Sequence, residues 1–231
     1  MIKIRRSKDR GASMYSWLKS YHTFSFANYY DPKFSGELPL LVINDDTVDP
    51  SKGFDVHPHK NMEIISYVIN GTLEHKDSMG NISVINKGDI QKMSAGTGVL
   101  HSEYNASSKD KVHFLQIWIL PKTQNTDPSY DQKHFSDDDK LNNFKLVASG
   151  SGSKNSIVFN QDVNIYASIF KQHQDKFIVN KNKKLWLHNI KGELSINSEL
   201  LKEGDGAFIK DIDYVNLKAN NSEFIIFEMN K

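Results

Sequence analysis

The sequence predicts an all-β protein built from two related domains in tandem. Three observations carry this expectation. Short runs rich in Val, Ile, Tyr and Thr recur at even spacing, Gly, Asn and Asp separate them, and the last third of the chain repeats the pattern of the first.

The clearest run is Glu63–Ile69, followed by Asn70-Gly71 and then Thr72–Lys76. An Asn-Gly pair between two such runs predicts a hairpin turn. A second turn at Asp77–Asn81 leads into a strand at Ile82–Asn86. Lys87-Gly88-Asp89 turns into Ile90–Met93, and Ser94–Gly98 turns into Val99–Tyr104. Val112–Leu120 is a longer strand closed by Pro121. Strands spaced this way predict a sandwich or a barrel.

Residues 121–145 change character: they are polar, hold Pro121 and Pro128, and include the acidic run Asp137–Asp139. They read as an inter-domain connector with a short helix over Asp137–Asn143. Ser149–Ser153 reads as a loop by composition. The expected division is an N-terminal domain over 1–122, a connector over 123–145 and a C-terminal domain over 146–231.

The repeat supports that division. Leu185-Trp-Leu-His-Asn-Ile-Lys-Gly192-Glu-Leu-Ser-Ile196 resembles Ile65-Ser-Tyr-Val-Ile-Asn-Gly71-Thr-Leu-Glu-His75, and Glu203-Gly204-Asp205 resembles Lys87-Gly88-Asp89. A shorter hairpin tip in the second copy accounts for the difference in spacing.

Bulk composition excludes several classes. Lys plus Arg is 29 against 28 for Asp plus Glu, a net charge of +1, with no long block of like charge. This balance argues against a nucleic-acid partner, and the basic stretch Lys3–Arg10 reads as a solvated start of the chain. There is no cysteine, which removes disulfides, thiolate metal sites and thiol nucleophiles together. No apolar run approaches the roughly 18 residues of a membrane span, and residues 1–20 carry no apolar signal core. The expectation is a cytoplasmic monomer without membrane contact.

Four of the nine histidines lie between residues 57 and 101. On a strand, side chains two residues apart share a face. His57-Pro58-His59 therefore sets two imidazoles side by side, and His101-Ser102-Glu103 sets an imidazole beside a carboxylate. Brought together, His57, His59, His101 and Glu103 would hold one divalent transition ion: Fe, Mn, Ni, Co, Cu or Zn. Glu63 is a rival ligand, since it lies four residues beyond His59 with the same parity. His75 reads as a surface or cross-strand residue. His22 and His113 read as buried and satisfied, or as partners that orient a ligand. His134, His173 and His188 fit no pattern. Phe114, Trp118 and the aromatics of 21–30 read as core, some of them doubling as pocket wall. Gly96-Thr-Gly98 lacks the strand-then-helix setting of a phosphate loop. In the second copy the matching positions fall near Ile178, Val179, Asn216 and Leu217, none of which binds a transition ion well.

The N-terminal half resembles the pirin family. The resemblance rests on His57-Pro-His-Lys-Asn-Met-Glu-Ile-Ile-Ser-Tyr-Val-Ile-Asn-Gly71, on Glu74-His-Lys-Asp-Ser-Met-Gly80, and on Gly88-Asp-Ile-Gln-Lys-Met-Ser-Ala-Gly-Thr-Gly-Val-Leu-His-Ser-Glu103. Tyr21-His-Thr-Phe-Ser-Phe-Ala-Asn-Tyr-Tyr-Asp31, Pro121 and Pro128-Ser-Tyr130 fit it too. It is dense over about residues 1–135 and loose beyond. It implies a bicupin with one ion, usually Fe(II), in the N-terminal cupin on His57, His59, His101 and Glu103, and a C-terminal cupin without metal. This ranks Glu103 above Glu63. One departure is Lys60-Asn61-Met62-Glu63, where many pirins have Arg-Gly-Phe-Glu; Met62 is expected to reshape the pocket floor.

The resemblance implies a quercetin 2,3-dioxygenase-like activity on a flavonol and O2, with Glu103 as ligand and base. A second reading of the family is a metal-dependent, redox-sensitive regulator of transcription factors. Fold and metal alone leave a third, an unidentified substrate.

Overall fold

In the computed structural model, which describes residues 1–231, the apolar runs form strands, and helix is confined to one α-helical turn and two 3-10 turns. In chain order the strands are β1 (Ile2–Arg5), β2 (Gly11–Met14), β3 (Leu18–His22), β4 (Leu40–Val48), β5 (Gly53–His59), β6 (Glu63–Asn70), β7 (Thr72–Asp77), β8 (Ile82–Asn86), β9 (Asp89–Ser94), β10 (Val99–Asn105), β11 (Val112–Ile119) and β12 (Ser129–His134). After α1 (Asp137–Lys140) come β13 (Lys145–Ser149), β14 (Ile157–Val158), β15 (Asn164–Ile178), β16 (Lys183–Gly192), β17 (Leu194–Ile196), β18 (Glu199–Leu201), β19 (Gly206–Ile209) and β20 (Tyr214–Asn230).

The chain divides into two units. One comprises Gly11–His134 with Ile157–Gln161; the other comprises Met1–Arg10, Phe135–Ser156 and Asp162–Lys231. The first unit holds an antiparallel seven-stranded sheet, in the order β12-β9-β6-β11-β4-β3-β2, and an antiparallel four-stranded sheet, β5-β10-β7-β8. The sheets do not close into a barrel. They face one another across an apolar core of Leu18, Val48, Val68 and Phe114 from the larger sheet and Leu73 and Ile85 from the smaller.

The strands between Glu63 and Ile119 lie where the sequence places them, but one connection differs. β6 pairs with β9 and β11, whereas β7 pairs with β8 and β10. Asn70-Gly71 is therefore a corner between the two sheets rather than a hairpin turn. Gly71 takes φ +78° there, and a Cβ at that position would stand 2.6 Å from the Lys111 carbonyl oxygen. The Asn-Gly signal reports a left-handed residue, and the same backbone conformation serves a corner as well as a hairpin. The Asp77–Asn81 turn does join a paired hairpin, β7 to β8.

Residues 129–134, read as connector, form β12 on the edge of the larger sheet against β9. Their side chains are polar because an edge strand exposes one face. The short helix is present as Asp137–Lys140. Its Ser136 side chain accepts from the Asp139 N–H, and the Asp139 carboxylate accepts from the Ser136 N–H in return.

In the second unit β15 and β20 pair from Asn164↔Glu228 to Ile178↔Tyr214, and β16 adds to β20 and β19. The first residues of the chain belong to this unit. β1 pairs with β19, and Ile2 and Ile4 pack on the core that contains Leu185, Leu187 and Ile209. Arg6 Nη1 donates to Asp205 Oδ2 at 2.9 Å and the Ser7 N–H donates to Asp205 Oδ1 at 2.6 Å. The sequence puts residues 1–10 with the N-terminal domain because chain order is all it offers at that point. The repeat itself recurs in backbone form: Gly71 and Gly192 have φ of +78° and +72°, and Gly88 and Gly204 of +89° and +76°.

Two glycines separate conformational strain from steric overlap. Gly80 has φ +94° with nothing within 4 Å of an added Cβ, so Gly80→Ala is expected to cost about 1 kcal/mol. Gly71→Ala adds a clash with the main chain and is expected to cost roughly 2–3 kcal/mol. Urea denaturation of both variants checks this, and equal costs would contradict the corner geometry.

Candidate metal centre

The centre begins with a strand pairing. β5 and β10 are antiparallel neighbours in which His101 stands opposite His57 and Val99 opposite His59. The two-residue period turns His57 and His59 to one face. The ring centroids lie 4.4 Å apart for His57 and His101, and 4.9 Å for His57–His59 and His59–His101. One ring nitrogen from each falls within 4.8 Å of the others. A register shift against β5 between His101 and Glu103 aligns Glu103 with Phe54, and the regular pairing with β7 sets Glu103 opposite His75.

Glu103 is 2% exposed and sits in a second cluster, with His75 and His101, in which the ligand atoms again lie within 4.8 Å. Ser66 Oγ donates to its Oε1 at 3.0 Å and Gln116 Nε2 donates to its Oε2 at 2.6 Å. Burial pushes its carboxyl up to about 7. The structure thus brings three imidazoles together and sets Glu103 beside His101. Glu63 belongs to neither cluster: it lies on β6, accepting from Ser94 Oγ at 2.7 Å and from the Asn160 N–H at 3.2 Å.

The imidazoles are prepared to act as neutral ligands. His57 Nδ1 lies 2.7 Å from the Asp55 carbonyl oxygen. Only an N–H can bond a carbonyl, so the Nε2 lone pair is left free. Burial and the His57 charge lower His59 to about 4. Burial, with the neighbouring histidines, lowers His101 to about 2. Neither ring competes for protons near neutrality, as metal ligation requires. His101 is fully enclosed, yet neither of its ring nitrogens has a hydrogen-bond partner. Buried polar atoms are nearly always paired, and a divalent ion satisfies such a nitrogen. The donor set of imidazole and carboxylate fits a first-row ion.

Other histidines differ from expectation in instructive ways. His75 is cross-strand, as read, but it is wholly buried rather than superficial. Its Nε2 lies 3.0 Å from Asp77 Oδ2, and its ring is 5.3 Å from that of His101. Asp77 is held in turn by Asn81 Nδ2 and by the N–H groups of Met79 and Asn81. His22 is buried and satisfied, 2.8 Å from both Asn44 Oδ1 and Ser13 Oγ. His113 pairs with Asp45 at 2.6 Å and His134 with Asp89 at 2.7 Å, both away from the clusters.

A cavity of about 460 Å³ opens beside His57, His59 and Glu103. Trp17, Phe26, Phe54 and Trp118 supply apolar wall, and Trp118 stands edge-on to His59 at 4.9 Å. Met62 does not line it. It packs on the Ile64, Met93 and Val99 cluster that also supports Trp118, so it forms no part of the pocket floor. The polar floor is formed by Ser20, Asn44, Asp46 and Gln116, none of which the sequence reading singled out. The signal was there in Asn44 and Asp46, polar residues with two-residue spacing in the apolar run Leu40–Val48. Both clusters lie in the first unit.

Known proteins similar to this chain share its two-domain fold. The family model described as Pirin matches residues 3–119, and that described as Quercetinase C-terminal cupin domain matches 146–229. A quercetin 2,3-dioxygenase of Escherichia coli (strain K12) is 41% identical over 231 residues, covering 99% of each chain. A putative quercetin 2,3-dioxygenase of Pasteurella multocida is 38% identical, covering 99% of this chain and 100% of that one. The crystal structure of the bacterial pirin YhhW from Escherichia coli in complex with nickel(II) superposes with a TM-score of 0.94 at 40% identity, covering 100% of this chain and 99% of the other. With its two cupin domains matched in order and its histidine cluster on the strands described, the chain belongs to the pirin family.

Proposed function

We propose that this protein is a metal-dependent dioxygenase of the pirin type that opens the central ring of flavonols such as quercetin. His57, His59, His101 and Glu103 hold one divalent ion, Fe(II) by the family's habit. The observation that carries the reading is His101: a wholly enclosed imidazole with two unpartnered nitrogens, grouped with His57, His59 and Glu103, which themselves line an aromatic-walled cavity.

A bound ion supplies Lewis acidity towards the flavonol 3-hydroxyl and electron exchange with dioxygen. The chain's own residues do the rest. Trp17, Phe26, Phe54 and Trp118 take a flat polycyclic ring out of water. His57 is held through Nδ1 by the Asp55 carbonyl, which leaves Nε2 as its free donor. Glu103, buried beside His101 and lining the cavity, is the carboxylate placed to take the 3-hydroxyl proton. Ser66 and Gln116 use one lone pair on each of its oxygens, leaving further acceptor capacity for ion and proton. Both atoms of dioxygen enter the product, and one ring carbon departs as carbon monoxide.

Anaerobic metal analysis followed by oxygen uptake with quercetin tests the reading. The expected result is one equivalent of divalent metal per chain, with uptake proportional to it, and loss of at least about tenfold in metal affinity and of uptake in His57→Ala. A full metal complement without uptake would remove flavonols as substrates. Full loading in His57→Ala would remove the site.

Glu103 makes loading pH-dependent with a defined sign. Its carboxyl is raised to about 7 in the metal-free fold, so below that pH it holds a proton that ligation must displace. Affinity is expected to fall as pH drops through about 7, by up to about tenfold per unit. Calorimetry in buffers of different ionisation enthalpy should show proton release on loading near pH 6 that largely disappears near pH 8.5. Glu103→Gln should lose the Glu103 share of that difference; an unchanged release would exclude this carboxylate as ligand.

A further inference from the structure

The larger sheet's wall of the cavity carries a hydrogen-bonded chain that the chemistry above does not use. Ser13, His22 and Asn44 all line the cavity, and they come from three neighbouring strands, β2, β3 and β4. The proposed metal ligands come from β5 and β10 of the smaller sheet. Ser13 Oγ lies 2.8 Å from His22 Nε2, and His22 Nδ1 lies 2.8 Å from Asn44 Oδ1. Ser13 is half-buried on an edge strand, whereas His22 and Asn44 are only 2% and 3% exposed. The serine is thus the end of the chain that a ligand in the cavity can reach.

The tautomer gives this chain a direction. Asn44 Oδ1 can only accept, so His22 Nδ1 carries the ring proton and Nε2 is left with a lone pair. Ser13 Oγ then donates its one proton to Nε2. With that proton committed, the serine oxygen meets a ligand only through its lone pairs. Turning His22 out of this arrangement would break two hydrogen bonds in a buried setting, and its ring also packs against Phe26, with centroids 5.1 Å apart. The same cavity is walled by Trp17, Phe26 and Trp118. A fixed acceptor among aromatic rings suits a flat aromatic ligand with a hydroxyl on its ring, which supplies the donor. An ether or carbonyl oxygen in the same place would meet the serine oxygen with no proton between them.

We propose that Ser13 is a second anchor for the substrate: its oxygen accepts a hydrogen bond from a ring hydroxyl other than the one directed at the metal centre. His22 and Asn44 are positioning residues that hold Ser13 in the accepting role. The site therefore selects polyhydroxylated aromatics, and it rejects analogues in which that hydroxyl is absent or methylated. This rests on the dioxygenase reading for the identity of the first hydroxyl. A site built to pair a hydroxyl discriminates against the analogue lacking it.

The probes are quercetin and analogues that keep the 3-hydroxyl but lack one other hydroxyl at a time. Their dissociation constants are read anaerobically from quenching of tryptophan fluorescence on metal-loaded wild type, Ser13→Ala and Ser13→Thr, with metal content checked in each. Wild type should bind one analogue about tenfold more weakly than quercetin. Ser13→Ala should bind that analogue and quercetin alike, and Ser13→Thr, which keeps the hydroxyl, should restore the difference. Equal binding of all the analogues by wild type overturns the proposal whether or not a variant folds. So do differences that all survive in Ser13→Ala. The direction of the chain has its own readout. Quercetin methylated at the selected hydroxyl should bind wild type at least about tenfold more weakly than quercetin. In His22→Leu the serine proton is released, and that penalty should shrink several-fold; a methyl ether bound as well as quercetin by wild type overturns the accepting role, and a penalty unchanged in His22→Leu overturns the positioning by His22. Oxygen uptake on the same samples keeps the two ideas apart. No uptake with the Ser13-dependent preference intact removes the dioxygenase reading and leaves the second anchor. Uptake with no Ser13-dependent preference does the reverse.

Discussion

Antiparallel pairing of β5 with β10 sets His101 directly opposite His57, and the two-residue period of a strand adds His59 to the same face. Everything at the proposed centre depends on that register. A slip of β5 by one residue would turn His57 and His59 to the face opposite His101. The irregularity between His101 and Glu103 matters as much. It shifts the β5 partners, so that Glu103 aligns with Phe54, while the pairing with β7 stays regular and sets Glu103 opposite His75, in the buried cluster beside His101. Bulges commonly re-aim a side chain next to a functional site.

Burial then sets the chemistry of these groups. The same removal from water drives imidazoles and carboxyls in opposite directions, because in each case it disfavours the charged form. His59 falls to about 4, while Glu103 and Asp46 rise to about 7. The result is a set of neutral nitrogen donors beside two acids poised near neutrality. A cation placed among them would reverse the balance for the acids, since its charge favours their ionised form. The hydrogen bonds from Ser66 and Gln116 already lean that way.

The second unit has the turn geometry of the first without its ligands. Gly192 and Gly204 take the left-handed conformations of Gly71 and Gly88, so the repeat preserves the places where the chain must change direction. Strand faces are less constrained than corners. Leu217 is part of the apolar core there and Ile178 is exposed, so the corresponding positions serve packing or solvent.

The sequence by itself determined the strands from Glu63 to Ile119, the repeat, the absence of sulfur ligands and the histidine pairs, because each follows from local periodicity or composition. It also carried the family, through long motifs around His57 and His101. Which strands become neighbours was decided by tertiary structure. Asn70-Gly71 carries the same backbone signal in a corner as in a hairpin. Residues 1–10 join the second unit through β19, far away in the chain. Burial was likewise not legible: His75 and Glu63 look alike as polar residues in apolar runs, yet one lies beside His101 and the other is tied to Ser94 and Asn160. Asn44 shows the limit most plainly. Its residue type and parity can be read in Leu40–Val48, but its place behind His22 and Ser13 exists only once β2, β3 and β4 have come together.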